Sequence, residues 1–140
     1  MNQLELFVLI TNPSRPFGNL DFDSYWSLDE IYDFMDDLAA RHPGFAEVEI
    51  MGGTSEGRTI RGLRITNEEN LSQGQLPIIF VSAGKVARDW ITVMAAVNVM
   101  HELLDHYDEH QNIVDDVEWF IIPVANPDGY EFSRAAPAVK

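Results

Sequence analysis

Residues 84–90, with the sequence GKVARDW, place charged side chains between an apolar run and a helical pattern. Ligands of open α/β sheets gather at the carboxyl ends of strands, so Lys85, Arg88 and Asp89 stand where a site is expected. Asp89 could bind a cation, and the two basic residues could bind an anion. On spacing alone a simpler interpretation is favoured: Asp89 begins the next helix, where the helix dipole stabilises its charge, and the basic residues face water.

A second group of possible ligands lies in the segment HELLDHYDEH. His101 and Asp105, Glu102 and His106, and His106 and His110 are each four residues apart, so each pair shares a helix face that could bind zinc. The segment does not match the HExxH pattern, because Asp105 stands where the second histidine is required. We interpret it as the polar end of a helix rather than as a metal site.

Other catalytic patterns are missing from the sequence. The segment NPDG at residues 126–129 is typical of a strand-ending turn, in which Pro127 fixes the backbone. There is no Gly-x-Ser-x-Gly elbow, although a dispersed Ser/His/Asp triad stays open. No glycine-rich phosphate loop occurs, because Gly52 and Gly53 are not followed by a helical pattern. The chain has no cysteine, which excludes thiolate metal ligands and a cysteine nucleophile.

Composition indicates one soluble globular domain with an acidic surface. The 140 residues are 46% hydrophobic, and 23 Asp and Glu against 9 Lys and Arg give a net charge of −14. Such acidity argues against binding to nucleic acid or to anionic membranes. The apolar run at residues 6–10 has no basic residue before it and no small-residue cleavage site, so we predict no signal peptide. No run is long enough to span a membrane.

Patterns along the chain predict an α/β domain. Ser27 and Glu30 form a capping box ahead of a helix with an apolar face, and His42, Pro43 and Gly44 end that helix. Alternating residues at 47–50 and 60–65 predict two strands, and residues 68–77 a surface loop. Residues 77–81 are predicted to be a strand buried on both faces, residues 89–107 a helix, and residues 117–124 a second buried strand. This order predicts a mixed sheet with flanking helices.

Four segments together resemble zinc metallocarboxypeptidases of the carboxypeptidase A/B type: YWSLDEIYDFMDDLAARHPG, GGTSEGRTIRGLRI, AGKVARDWI and VEWFIIPVANPDGYEFS. They follow in the family's order and spacing. The resemblance implies an α/β fold, a mixed central sheet with flanking helices, as an incomplete carboxypeptidase-like (phosphorylase/hydrolase-like) fold. It also implies that residues 1–24 are a linker or the remnant of an activation segment, and residues 25–140 the N-terminal half of the catalytic domain.

The resemblance further implies a degraded zinc site. Members of the family release C-terminal residues from peptides with one zinc, held by His, Glu and a later His, and the first two ligands lie in a G-x-H-x-R-E-W segment. Here Val86 takes the place of the first histidine and cannot ligate. Asp89 takes the place of the glutamate as the one remaining metal ligand, and Arg88 matches an arginine of the substrate cleft. The later ligand and the catalytic glutamate are expected beyond Lys140.

We therefore expect a metallocarboxypeptidase relative that has no catalytic residue, does not retain zinc and does not cleave peptides. The alternatives are a non-catalytic module that binds a peptide or protein C-terminus through Arg88 and Lys85, or a non-functional fragment. Self-association through an uncovered sheet edge is a further expectation. The resemblance implies an extracellular location.

Overall fold

The computed structural model describes residues 24–71 and 74–135. The interpretation of residues 1–24 as a linker, and the apolar run at residues 6–10, fall almost wholly outside these residues. Within the described residues the chain forms five helices and four strands: α1 (Leu28–Arg41), β1 (Ala46–Gly53), β2 (Thr59–Ile65), α2 (Glu68–Leu71), β3 (Ile78–Ser82), α3 (Trp90–Asp105), α4 (Tyr107–Asp115), β4 (Glu118–Ile122) and α5 (Pro127–Ala135). None of the helices in this part of the chain has the length and apolar character needed to cross a membrane.

The four strands form one mixed sheet in the order β1-β2-β4-β3. β2 pairs antiparallel with β1 and with β4, whereas β3 pairs parallel with β4. The β3–β4 connection is long, as parallel pairing requires, and it contains α3 and α4. The predicted α/β class with a mixed sheet and flanking helices is confirmed.

Helix α1 begins as the sequence predicts. The Glu30 amide donates to Ser27 Oγ (3.2 Å), and the Ser27 amide donates to Glu30 Oε2 (2.7 Å), so both halves of the capping box are present. At the other end the His42 amide donates to the Leu38 carbonyl (3.0 Å), and Gly44 follows with φ +82°. The apolar face of the helix lies in the core.

Helix α3 begins where it is predicted to and ends earlier. It ends at Asp105 and not near Tyr107, because His106 has φ −114° and ψ 32° and separates α3 from α4. Ile91 and Ala95 are exposed although they are apolar. The buried face consists of Val93, Met94, Ala96, Val97, Met100, Leu103 and Leu104.

Strand β3 was wrongly predicted to be buried on both faces. Ile78 is 65% exposed and Phe80 is 59% exposed, whereas Ile121 of the adjacent β4 is fully buried. The reason is position: β3 is the last strand in the order of the described sheet and pairs on one side only, with β4. An apolar run alone does not distinguish a central strand from an edge strand.

Two connections are helical where the sequence pattern predicted loops. Residues Glu68–Leu71 form a short helix within the predicted surface loop. The predicted turn at residues 126–129 is the start of α5, which begins at Pro127. Proline is tolerated at the first position of a helix, and the Asn126 side chain accepts from the Gly129 amide (2.9 Å) as a cap does.

Candidate functional site

The loop between β3 and α3 lies beside the segment that leaves β4. The Ala83 amide donates to the Ile122 carbonyl (2.9 Å), the Ala125 amide donates to the Ala83 carbonyl (2.8 Å), and the Asn126 amide donates to the Gly84 carbonyl (3.0 Å). The hydrogen bonding of the parallel strands therefore continues past their ends. It brings residues 85–89 and the start of α5 together at the carboxyl ends of β3 and β4, where α/β proteins bind ligands.

Gly84 fixes the direction of the loop. Its φ is +62°, and an added Cβ would lie 2.8 Å from Val93 Cγ2, 2.9 Å from the Pro123 carbonyl oxygen and 3.0 Å from Val124 Cα. Both the backbone conformation and the close packing require glycine here. The loop therefore leaves β3 in one direction, with Gly84 packed against Val93 on the buried face of α3.

The loop then makes a tight turn that brings positions 86 and 89 together. The Asp89 amide donates to the Val86 carbonyl (3.1 Å), and Thr92 Oγ1 donates to the Asp89 carbonyl (2.8 Å). Asp89 occupies the N-cap position of α3, but its side chain forms no capping hydrogen bond. The simple interpretation of Asp89 as a capping carboxylate is therefore only half right: the position is correct, and the capping contact is absent.

Helix α5 supports the loop from the opposite side. Ser133 Oγ donates to the Ala87 carbonyl (2.8 Å) and accepts from Trp90 Nε1 (2.9 Å). The Trp90 ring also packs edge-to-face on Tyr25, with centroids 5.5 Å apart, and the Arg134 guanidinium lies 5.9 Å from its centroid. These contacts hold the loop without any metal ligand.

The rim of the loop is exposed and cationic. Lys85 and Arg88 are exposed, Asp89 is half-buried, and Val86 is 66% exposed. An isopropyl group offers no lone pair, so Asp89 is the one side chain among residues 84–90 with a ligand atom that zinc prefers. A zinc site needs about three protein ligands. These residues do not fit a zinc ion, and we derive no step through one.

Asp128, whose role no sequence pattern indicates, connects α5 to the β1–β2 hairpin. Asp128 accepts from Thr54 Oγ1 (2.8 Å), from Arg58 Nη1 (2.9 Å) and from the Glu56 amide (3.3 Å). Desolvation would raise the pKa of Asp128, but these three donors together lower it. These three hydrogen bonds, which we call the Asp128 clamp, hold the start of α5 in place. Helix α5 in turn supports the loop.

The structure also brings together part of the second sequence cluster. Ligand atoms of His101, Glu102 and His106 all lie within 4.8 Å of one another, and no other group of three possible ligands this close occurs in residues 24–71 and 74–135. His110 contacts Glu102, with Nε2 3.3 Å from Oε2. The spacing predicted the pairing of Glu102 with His106. The approach of His101 depends on the helix break at His106, which no spacing rule reveals.

Comparison with known proteins identifies the protein family to which this fold belongs. Residues 31–138 match the family model described as zinc carboxypeptidase. The chain belongs to the zinc carboxypeptidase family.

Several relatives are about one-third identical to this chain over the aligned residues. It is 32% identical over 84% of its length to carboxypeptidase A2 of Rattus norvegicus and 32% identical over 81% to carboxypeptidase B of Astacus astacus. It is 34% identical over 80% to a Saccharomyces cerevisiae protein named inactive metallocarboxypeptidase ECM14. The matches span 28%, 36% and 27% of those relatives, respectively.

Solved structures agree with the sequence matches. The carboxypeptidase A of Helicoverpa armigera superposes with a TM-score of 0.79 at 29% identity, over 96% of this chain and 32% of that one. Thrombin activatable fibrinolysis inhibitor has the same TM-score of 0.79 at 23% identity, which supports the fold alone.

Proposed function

We propose that this chain is a non-hydrolytic member of the zinc carboxypeptidase family that binds peptide C-termini without cleaving them. One observation carries the proposal: the turn that pairs positions 86 and 89 is present, yet an exposed valine stands at position 86. The family resemblance implies that the first histidine ligand would stand at that position. The turn that would carry two zinc ligands is thus present, with valine in the position of one of them.

The chemistry of hydrolysis fails at the first step. A hydrolytic zinc needs about three protein ligands and an open position for water, whose pKa the metal lowers. Among residues 84–90 only Asp89 could ligate, so zinc would not be held here. The yeast relative at 34% identity carries the word inactive in its name, which supports a member of this family without hydrolysis.

Binding requires less than hydrolysis does. Arg88 and Lys85 are exposed on one loop of a chain whose net charge is −14, so they form a local cationic rim on an otherwise acidic molecule. A peptide C-terminal carboxylate is the ligand that such a rim would attract, and a guanidinium can bind it through two hydrogen bonds. Family resemblance also supports an extracellular location for this interaction.

Zinc content tests the inactive site. We would measure zinc by elemental mass spectrometry after dialysis against trace zinc in the His106→Ala variant, because His106 belongs to the separate cluster of possible ligands. We expect much less than one zinc per chain and no release of C-terminal residues from peptides. Adding Val86→His and Asp89→Glu to this variant should raise zinc retention. About one zinc per chain with valine still at position 86 would overturn the proposal.

Peptide binding tests the retained function. A short N-acetylated peptide with a free C-terminus and its C-terminal amide would be titrated by calorimetry. We expect saturable binding of the free acid, and at least about tenfold weaker binding of the amide or of Arg88→Gln, because each loses a charge-assisted pair. Arg61→Gln is the matched control, since Arg61 lies in β2 and pairs with Asp36 instead. Equal binding of acid and amide would contradict the carboxylate-binding role.

A further inference from the structure

We propose that His101, Glu102 and His106 form a surface binding site for a borderline transition-metal ion such as Zn²⁺, separate from the β3–α3 loop. The ligand atoms of these three residues already lie within 4.8 Å of one another. Zinc at the centre of its ligands, at about 2.0–2.2 Å from each, leaves neighbouring ligand atoms a little over 3 Å apart. Only small side-chain movements are needed to reach that geometry.

The backbone explains how three such residues meet. Glu102 and His106 are four apart, but His101 and His106 are five apart, which would point them away from each other on a continuous helix. The helix ends at Asp105, and His106 leaves it with φ −114° and ψ 32°. The two imidazole rings consequently stand edge-to-face, with centroids 5.1 Å apart. A bound ion would connect the last turn of α3 to the α3–α4 junction.

His101 already has a carboxylate beside one ring nitrogen, since Asp105 Oδ2 lies 2.7 Å from His101 Nδ1. A proton on Nδ1 that donates to this carboxylate places the lone pair of the ring on Nε2. This is the carboxylate–histidine arrangement that orients imidazole ligands and raises their basicity in metal sites. Glu109 Oε1, 3.9 Å from His106 Nδ1, is too far away for a hydrogen bond and gives His106 only a nearby negative charge.

The residue types select the kind of ion. Two imidazoles and one carboxylate suit Zn²⁺, Cu²⁺ or Ni²⁺, whereas Ca²⁺ and Mg²⁺ require oxygen ligands. One of the three ligands, His106, is exposed, and the other two, His101 and Glu102, are half-buried. Water can therefore complete the coordination. His110, which contacts Glu102, stands at the edge of the group and is not one of the three ligands.

Zinc titration against a fluorescent chelator tests the site on the wild-type chain. We expect one Zn²⁺ per chain, no displacement by millimolar Ca²⁺, and at least about tenfold weaker affinity in His106→Ala and Glu102→Gln. Asp108→Asn is the matched control, because Asp108 is an exposed carboxylate of α4 outside the group, and it should bind zinc as the wild type does. His106 is itself exposed, so its replacement leaves the core intact.

A second measurement identifies the ligands directly. In long-range proton–nitrogen NMR spectra, zinc should shift the imidazole nitrogens of His101 and His106 and leave those of His42 nearly unchanged. Zinc affinity equal to wild type in His106→Ala, or an Asp89→Asn variant that loses zinc instead, would overturn the assignment. The second result would place the ion at the β3–α3 loop and would also contradict the proposed inactive site, whereas the first would not.

Discussion

Arg58 Nη1 lies 2.9 Å from Asp128 Oδ1, and this ion pair joins the connection between β1 and β2 to the first turn of α5. The same carboxylate accepts from Thr54 Oγ1 (2.8 Å) and from the Glu56 amide (3.3 Å), so one acidic residue holds the hairpin connection at three points. Helix α5 in turn supports the β3–α3 loop through Ser133. The ion pair therefore stabilises the loop through α5, without contacting it.

Replacing Asp128 with asparagine should lower the midpoint of urea denaturation, because the amide cannot form the charge-assisted bonds to Arg58. It should also broaden the NMR resonances of the loop residues near Ser133. Glu56→Gln serves as the control, since the Glu56 side chain is more exposed than that of Asp128 and its carboxylate pairs with Arg58. Equal effects of the two substitutions would show that Asp128 is an ordinary surface charge.

Replacing Gly84 with alanine should lower the free energy of unfolding by about 3 kcal/mol, because positive φ and three contacts of 3.0 Å or less act together. Gly57→Ala separates the two causes: its φ is +82°, but a Cβ there meets nothing within 4 Å. Strain alone should cost about 1 kcal/mol. Urea denaturation measures both, and similar losses would mean that packing at Gly84 contributes little.

Asp105→Asn should lower the free energy of unfolding by about 3 kcal/mol, since Arg41 and two histidines surround this half-buried carboxylate. Burial would raise the pKa of Asp105, but hydrogen bonds from His101, His42 and Arg41 lower it well below its usual range. A lowered pKa contributes stability above the unfolded value of about 3.9.

That contribution is lost as the pH falls from about 4 towards the folded pKa of Asp105. Wild-type stability should therefore decline below pH 4 more steeply than that of Asp105→Asn. Asp108→Asn, at an exposed position, should change stability by less than about 0.5 kcal/mol. Parallel pH profiles for the wild type and Asp105→Asn would contradict the assignment.

Tyr130→Phe should cost about 1–2 kcal/mol, because the Tyr130 hydroxyl donates to the Trp26 carbonyl and both residues are buried. Without the hydroxyl, that carbonyl loses a buried donor. Tyr107→Phe is the comparison, since its hydroxyl donates to Asp115 at a less buried position (2.7 Å). Thermal denaturation of the two variants should rank Tyr130→Phe as the less stable.

Replacing Ile78 and Phe80 with lysine should reduce concentration-dependent self-association, because both are exposed on the edge strand β3. Sedimentation velocity would measure it. Ile50→Lys with Met51→Lys adds the same two charges at exposed positions of β1 (67% and 48% exposed), the other outer strand of the described sheet. Equal effects of the β1 and β3 substitutions would show that net charge, and not the β3 edge, controls association.

The sequence predicts best where the physical cause is local. The capping box of Ser27 and Glu30 involves neighbours in the chain, and the structure confirms it. The turn at residues 126–129 was wrong for a local reason as well: Asn, Pro and Asp in that order suit the first positions of a helix, a signal that the turn interpretation overlooked.

Tertiary contacts explain what the sequence could not reveal. Phe80 is exposed because β3 lies at the outer end of the described sheet. The apolar run PIIFV does not indicate which position its strand takes in the sheet. The clamp from Asp128 to Thr54 joins residues 74 positions apart. The approach of His101 to His106 depends on one pair of dihedral angles at a helix break.

The way the β3–α3 loop is held has an evolutionary consequence. Backbone hydrogen bonds of Ala83 and Gly84, together with Ser133 against Ala87, maintain its shape, and the side chain at position 86 points to solvent and takes no part. Substitution at position 86 is thus nearly neutral for folding. Selection for stability would therefore not remove a chain in which valine had replaced a metal ligand at this position. A lineage of such chains could lose hydrolytic activity and keep the fold.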